Sequence, residues 1–219
     1  VDVGRGQGGR VYVYEGTSSI FDNSLRVATA SPLFTVLGAG RGDQLGGFDS
    51  GMRVGDVTND GVPDLIVGAN RADGTGNTSA NAGEVYVLPG GATLSGGGTF
   101  DLGAASGVAV TGTVFEGVAG DFLSVIAVGA VTNDGVDDII MGARGNASFA
   151  GRVYVAAGGT SLASTATVSL GSASIQAVVD GAAAGGQLGF SASIGDLTGD
   201  GVADLALGAP TLAANGRSR

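Results

Sequence analysis

The sequence predicts an all-β chain made of repeated four-stranded antiparallel sheets, and three observations predict it. Glycine supplies 44 of the 219 residues with no Gly-X-Y period, which excludes collagen and marks a chain dense in turns. A phrase that joins an acidic loop to a short apolar run occurs three times, as DVTNDGVPDLIVG from Asp56 to Gly68, AVTNDGVDDIIMG from Ala130 to Gly142 and DLTGDGVADLALG from Asp196 to Gly208. The equivalent glycines Gly61, Gly135 and Gly201 lie 74 and 66 residues apart, and each interval holds four short strands. Such sheets cannot bury both faces alone, so they must stack around an axis as the blades of a propeller.

Taken in order, the chain opens with GRVYVYEG, a strand that returns as GEVYVLPG from Gly83 and GRVYVAAG from Gly151. Tyr12, Tyr86 and Tyr154 share one column of it, and tyrosine between valines suits a pleated, half-buried surface better than carbohydrate stacking. A second strand is predicted over Pro32–Gly38. The connection after it contains Arg41-Gly42-Asp43, the tripeptide that adhesion receptors bind, but its Gly-Asp falls in the same column as Gly120-Asp121, so the repeat accounts for it. After the first acidic loop come a strand over Asp64–Gly68, an exposed polar loop from Ala69 to Ala82, and a strand over Glu84–Leu88. An extended piece near Thr99–Leu102 and a strand over Val108–Val114 complete that unit. The next unit repeats the order with a shorter loop, Ala143–Ala150, and a last strand near Ser174–Val179.

The acidic loop carries the chemistry. Asp56, Thr58 and Asp60 alternate at positions one, three and five, so a curled loop turns their oxygens to one point; Gly61 supplies the sharp turn, Val62 its carbonyl, and Asp64 closes the cage. Oxygen donors in a chain with no histidine and no cysteine indicate Ca2+ rather than zinc or copper. Asp, Asn, Thr and Gly are also ordinary turn residues, and it is the threefold recurrence that favours a metal. An EF-hand needs a bidentate acid at position twelve. Val67, Met141 and Leu207 stand there, so the ion would sit at the mouth of a strand.

Together these residues resemble the FG-GAP repeats of the integrin α-chain propeller and its bacterial relatives, through the acidic loops, the strands ending in Gly-Ala and the Gly-x-Val-Tyr-Val strands. The resemblance implies a partial β-propeller with two complete blades and two half blades. Residues 1–38 would form a half blade, 39–114 and 115–180 a blade each, 181–210 a half blade, and 211–219 a polar tail. The family's calcium loops match Asp56, Thr58, Asp60, Val62 and Asp64, and again Asp196, Thr198, Asp200, Val202 and Asp204. The second copy has Ala130 in place of the first carboxylate, leaving Thr132, Asp134, Val136 and Asp138 as a weak or degenerate site.

Composition narrows the partners. A net charge of −10, with every basic residue an arginine, excludes a phosphate backbone, and the longest apolar run, Phe122–Val131, is too short to insert in a membrane. The expectation is an extracellular or cell-surface, calcium-stabilised module for adhesion or scaffolding, with a protein or glycan ligand and no catalytic residues. Its remaining blades would come in cis or, as the alternative, from a second copy in trans. The competing reading is the accessory propeller of a secreted hydrolase, in which only Glu15, Glu84 and Glu116 accompany the aspartates and no nucleophile and base pair is available.

Overall fold

The structure, a computed structural model, describes residues 8–16, 31–47, 51–103, 112–164, 166–170 and 175–213. Its strands form four sheets in chain order. β1 (Arg10–Val13) and β2 (Phe34–Leu37) pair antiparallel in the first. The second is a meander of β3 (Met52–Gly55), β4 (Asp64–Ala69), β5 (Glu84–Leu88) and β7 (Thr113–Glu116). The third repeats it with β8 (Ser124–Gly129), β9 (Asp138–Ala143), β10 (Arg152–Ala156) and β12 (Ile175–Asp180). β13 (Ser191–Gly195) and β14 (Asp204–Gly208) form the fourth. This is the all-β, propeller-type partial arrangement of two full units between two half units.

Two strands depart from the four-per-unit expectation. β6 (Gly98–Asp101) leaves its own unit and adds parallel to β2, and β11 (Ala166–Ser169) leaves the next unit and adds parallel to β7. A single turn of helix at Ala92–Ser95, or of 3₁₀ helix at Thr160–Ala163, precedes each. Each unit therefore lends a strand to the sheet before it, covering an edge that would otherwise be open. The strand expected over Val108–Val114 is observed as β7 at 113–116, so the expected unit boundary at 114 falls inside it; residues 104–111 lie outside the described residues.

The central strands are near-continuous apolar runs because both of their faces are covered. Side chains alternate along a strand, so Ile66 enters the core between the second and third sheets, with Phe115, Leu123, Ile139 and Met141. Its neighbour Val67 enters the core between the first and second, with Val36, Leu88 and Phe100. Phe100, from the lent strand β6, meets Phe34 edge to face at 5.6 Å, a geometry that contributes about 0.5 to 1.5 kcal/mol beyond area burial. The tyrosine column packs as the sheet reading expects in the two full units, where Tyr86 and Tyr154 are buried within these cores and leave neither ring face for a sugar; Tyr12, in the first half unit, is 37% exposed.

Neighbouring sheets are also tied through the backbone. β8 bulges between Val125 and Ala127, which turns the Ile126 carbonyl out of the ladder. Arg53 of β3 reaches across and donates to it from Nε at 3.1 Å and from a terminal nitrogen at 2.5 Å. A Cβ at Gly51 would lie 2.1 Å from the Val125 carbonyl oxygen, so the close approach of these strands requires glycine there. Among the described residues no helix is long and apolar enough to cross a membrane.

Candidate functional site

The three acidic loops share one backbone path, set by residues that accept left-handed geometry. Position four has φ of 56° at Asn59, 60° at Asn133 and 77° at Gly199, and position six has 85°, 84° and 87° at Gly61, Gly135 and Gly201. Asparagine and glycine are the residue types for which that region costs least. Each loop then runs directly into the second strand of its sheet's hairpin, β4, β9 or β14, as the sequence predicts, with no helix after it.

Within the first loop the predicted ligands form two hydrogen-bonded groups. Asp56 curls the loop: its Oδ1 accepts the Asp60 N–H at 3.1 Å and its Oδ2 the Gly61 N–H at 2.9 Å. Asp60 in turn accepts the Val62 N–H at 2.8 Å. Asp64 belongs to the second group. It is buried, accepting the Thr58 N–H at 2.9 Å, the Thr58 hydroxyl at 3.3 Å and the Gly90 N–H at 2.9 Å, so it fastens the loop to the turn after β5. Asp56 and Asp60 lie toward the exposed rim, while Thr58 and Asp64 lie at the buried base.

The third loop repeats the rim over a more open base, since Thr198 is exposed and Asp204 half-buried. Asp196 accepts the N–H groups of Gly199 at 2.6 Å, Asp200 at 3.1 Å and Gly201 at 2.9 Å. These backbone bonds, that from Gly201 foremost, hold its carboxyl below the ordinary aspartate range, because a donor directed at the charged form favours it. Asp200 accepts the Val202 N–H at 2.9 Å, and Asp204 accepts from Leu197 and Thr198 at 2.7 and 3.0 Å.

In the second loop the buried base is kept and the rim is lost. Asp138 accepts from Val131, Thr132 and Gly158 at 2.8, 2.9 and 3.1 Å, and its other bond to the Thr132 hydroxyl is 3.2 Å. Asp134 accepts the Val136 N–H at 3.0 Å. Ala130 offers no side-chain oxygen where Asp56 and Asp196 stand. Asp137 does not replace it; its Oδ2 accepts the Asp56 N–H of the neighbouring loop at 3.1 Å, a bond between units that sequence reasoning did not find.

The donor chemistry of the first and third loops fits a hard cation. Carboxylate oxygens have two acceptor sites each, so those that accept one backbone N–H retain a lone pair. Among the described residues, however, no three acidic side chains gather at a single point, because Asp64 is turned inward onto Thr58 and Gly90. Asp56, Thr58, Asp60, Val62 and Asp64, with Asp196, Thr198, Asp200, Val202 and Asp204, are the residues that would hold Ca2+.

Two further clusters bear on alternative functions. Asp43 of the Arg-Gly-Asp tripeptide is 5% exposed, and its carboxylate accepts the Gly40 N–H. Asp121, in the same column, is buried likewise and accepts from Val118 and Asn146, so the column serves turns and the tripeptide is not displayed. Beside Asp43, a cavity of about 290 Å³ is lined by Asp73, Thr75, Glu84 and Tyr86. Burial raises the Glu84 carboxyl above its ordinary range against the Tyr86 hydroxyl that donates to it, with Asp43, Glu116 and Asp73 adding repulsion. The loop over this cavity is not uniformly exposed: Ala69, Ala72 and Ala82 at its base are buried, while Arg71 and its middle face solvent.

A family model described as FG-GAP repeat matches residues 48–88 and 188–218. These stretches contain the first and third acidic loops and leave out the second. No curated protein matches the chain.

Proposed function

We propose that this chain of FG-GAP repeats is a calcium-stabilised, non-catalytic binding module that works outside the cell, with ions held in the first and third acidic loops. The comparison of loops carries the reading. The second loop keeps the same path and the same buried aspartate without a first carboxylate, so the fold does not require Asp56 or Asp196. Both are nevertheless present, ringed by backbone N–H donors and curled toward Asp60 and Asp200. Calcium would supply a divalent charge that oxygen donors surround at 2.3 to 2.6 Å; the chain would supply the curl, the rim carboxylates and the anchoring aspartate below them.

Extracellular modules bind calcium at about 10⁻⁴ to 10⁻³ M, so about 1 mM calcium adds only about 0.4 to 1.4 kcal/mol per site. The ion is thus structural, ordering loops beside the inter-strand connections that face a protein or glycan ligand. The absence of histidine and cysteine supports a non-catalytic role, as do Glu84, which lines the cavity and accepts from Tyr86, and Glu116, which accepts from Thr75. Thermal melts in about 1 mM calcium and in chelator test the reading. A rise with calcium that magnesium does not reproduce supports it; superimposed melts contradict it.

A further inference from the structure

The first acidic loop touches more than its own sheet. The residues at its opening, Gly55 to Val57, are seated in the unit that follows. A Cβ at Gly55 would lie 2.5 Å from Val128 Cγ1 and 2.7 Å from Asp137 Oδ2, so the third sheet packs directly on the backbone there. The Asp56 N–H donates to Asp137 Oδ2 at 3.1 Å. The Val57 side chain is fully buried in the core between the second and third sheets, with Ile139 and Leu162, and its carbonyl accepts the Gly159 N–H at 2.8 Å.

The receiving side is a linked set. Gly158 and Gly159 follow β10; Gly158 donates to Asp138 of its own acidic loop at 3.1 Å, and Gly159 donates back to Val57. Asp137 and Asp138 are adjacent, and successive side chains of an extended segment point to opposite sides. Asp138 therefore fastens its own loop to the turn while Asp137 reaches back to the loop that the turn also grips. Asp56 joins the halves, because its carboxylate accepts from Asp60 and Gly61 at the rim while its N–H is held by the next unit.

We propose that the first acidic loop is a calcium-dependent joint between units, in which ion binding at Asp56 and Asp60 and the seating of Asp56 and Val57 in the third unit strengthen one another. The inference rests on the calcium reading above. Coupling of this kind is reciprocal. A loop already held on its path by Asp137 and Gly159 has less freedom to lose when it takes an ion, and a loop ordered by the ion keeps the Asp56 N–H and the Val57 carbonyl aimed at their partners. Calcium then sets the rigidity of the contact between successive units as well as that of one loop.

Calorimetry on the full chain carrying Asp196→Ala, in which the first loop is the site left, reads the coupling from the side of the ion. Adding Asp137→Ala should weaken calcium binding about two- to tenfold, the contribution of one hydrogen bond, and Asp137→Asn, which keeps an acceptor oxygen, should recover most of it. Amide exchange by NMR reads the coupling from the other side. With calcium, the Gly159 N–H of the unaltered chain should exchange about threefold or more slowly, and Asp56→Ala should abolish that slowing. The Gly145 N–H, bonded to the Asp121 carbonyl just past the far end of β9, should not change. Equal affinity with and without Asp137→Ala, an equal loss in Asp137→Asn, or equal slowing at Gly145 would overturn the joint and leave calcium binding standing. No heat of calcium binding in the Asp196→Ala chain would overturn both.

Discussion

The first and second acidic loops follow the same path and are anchored by the same buried aspartate, yet only the first has a carboxylate at its opening residue. The difference separates two roles that one motif carries together. Asp64 and Asp138 serve the fold, since each is buried against N–H groups of its own loop and of the turn after the third strand. Asp56 and Asp196 serve the rim. Asp137 adds an asymmetry: its carboxylate spans to Asp56, whereas Pro63 and Ala203 stand at the equivalent positions and have no such group.

The strongest way to break this comparison is at the base. Asp138→Ala would leave the half-buried Thr132 and Gly158 donors without their buried acceptor, a loss of about 1 to 3 kcal/mol, measured by urea unfolding. An equal loss is expected for Asp64→Ala, with or without calcium. Gly158→Ala should come next, at about 1 to 3 kcal/mol, because its Cβ would lie 2.2 Å from the Asp137 carbonyl oxygen. Asp137→Ala removes one bond between units and should cost about 0.5 to 1.5 kcal/mol while leaving calcium stoichiometry unchanged. The smallest effect on stability and the sharpest on function is at the rim: Ala130→Asp should add a calcium-dependent rise in melting temperature of the kind Asp56→Ala removes.

Acid gives a test within the same frame. Asp196 has a lowered carboxyl pKa in the folded chain, so its contribution is present above the ordinary aspartate range and fades as pH falls through the folded value. Glu84 is raised by burial, so its sign is opposite: its contribution is greatest below the ordinary glutamate range and fades as pH rises through the folded value. Glu84→Gln, which keeps an acceptor for Tyr86, should therefore stabilise the chain at neutral pH and reduce that loss, read from unfolding curves between acid and neutral pH.

The central strands were legible because both faces are apolar and their boundaries are glycines or acids. β5 lies over Glu84–Leu88 as predicted, and β4 extends one residue beyond its predicted end, to Ala69. The lent strands were not legible as such. β6 and β11 bury few residues each and so make no periodic signal, and their partners lie in another unit. A sequence signal did exist, since Gly90–Gly103 and Gly158–Gly171 share Gly-Gly, then leucine three residues on, then Thr-apolar-polar-Leu-Gly. At the loops, sequence marked the aspartates but could not distinguish a rim carboxylate from a buried anchor, because aspartate at either position obeys the same turn chemistry. The Glu84 cavity was also hidden. Its only mark was a glutamate in a column that elsewhere holds Arg10 and Arg152, and nothing in that substitution announces that it shares a cavity wall with Asp43 and Asp73.

Calorimetric titration of calcium into the full chain tests the central claim most directly. The account predicts two sites per chain, one after Asp56→Ala or Asp196→Ala, and three after Ala130→Asp. Three sites in the unaltered chain, or two that survive the loss of both rim aspartates, would contradict it.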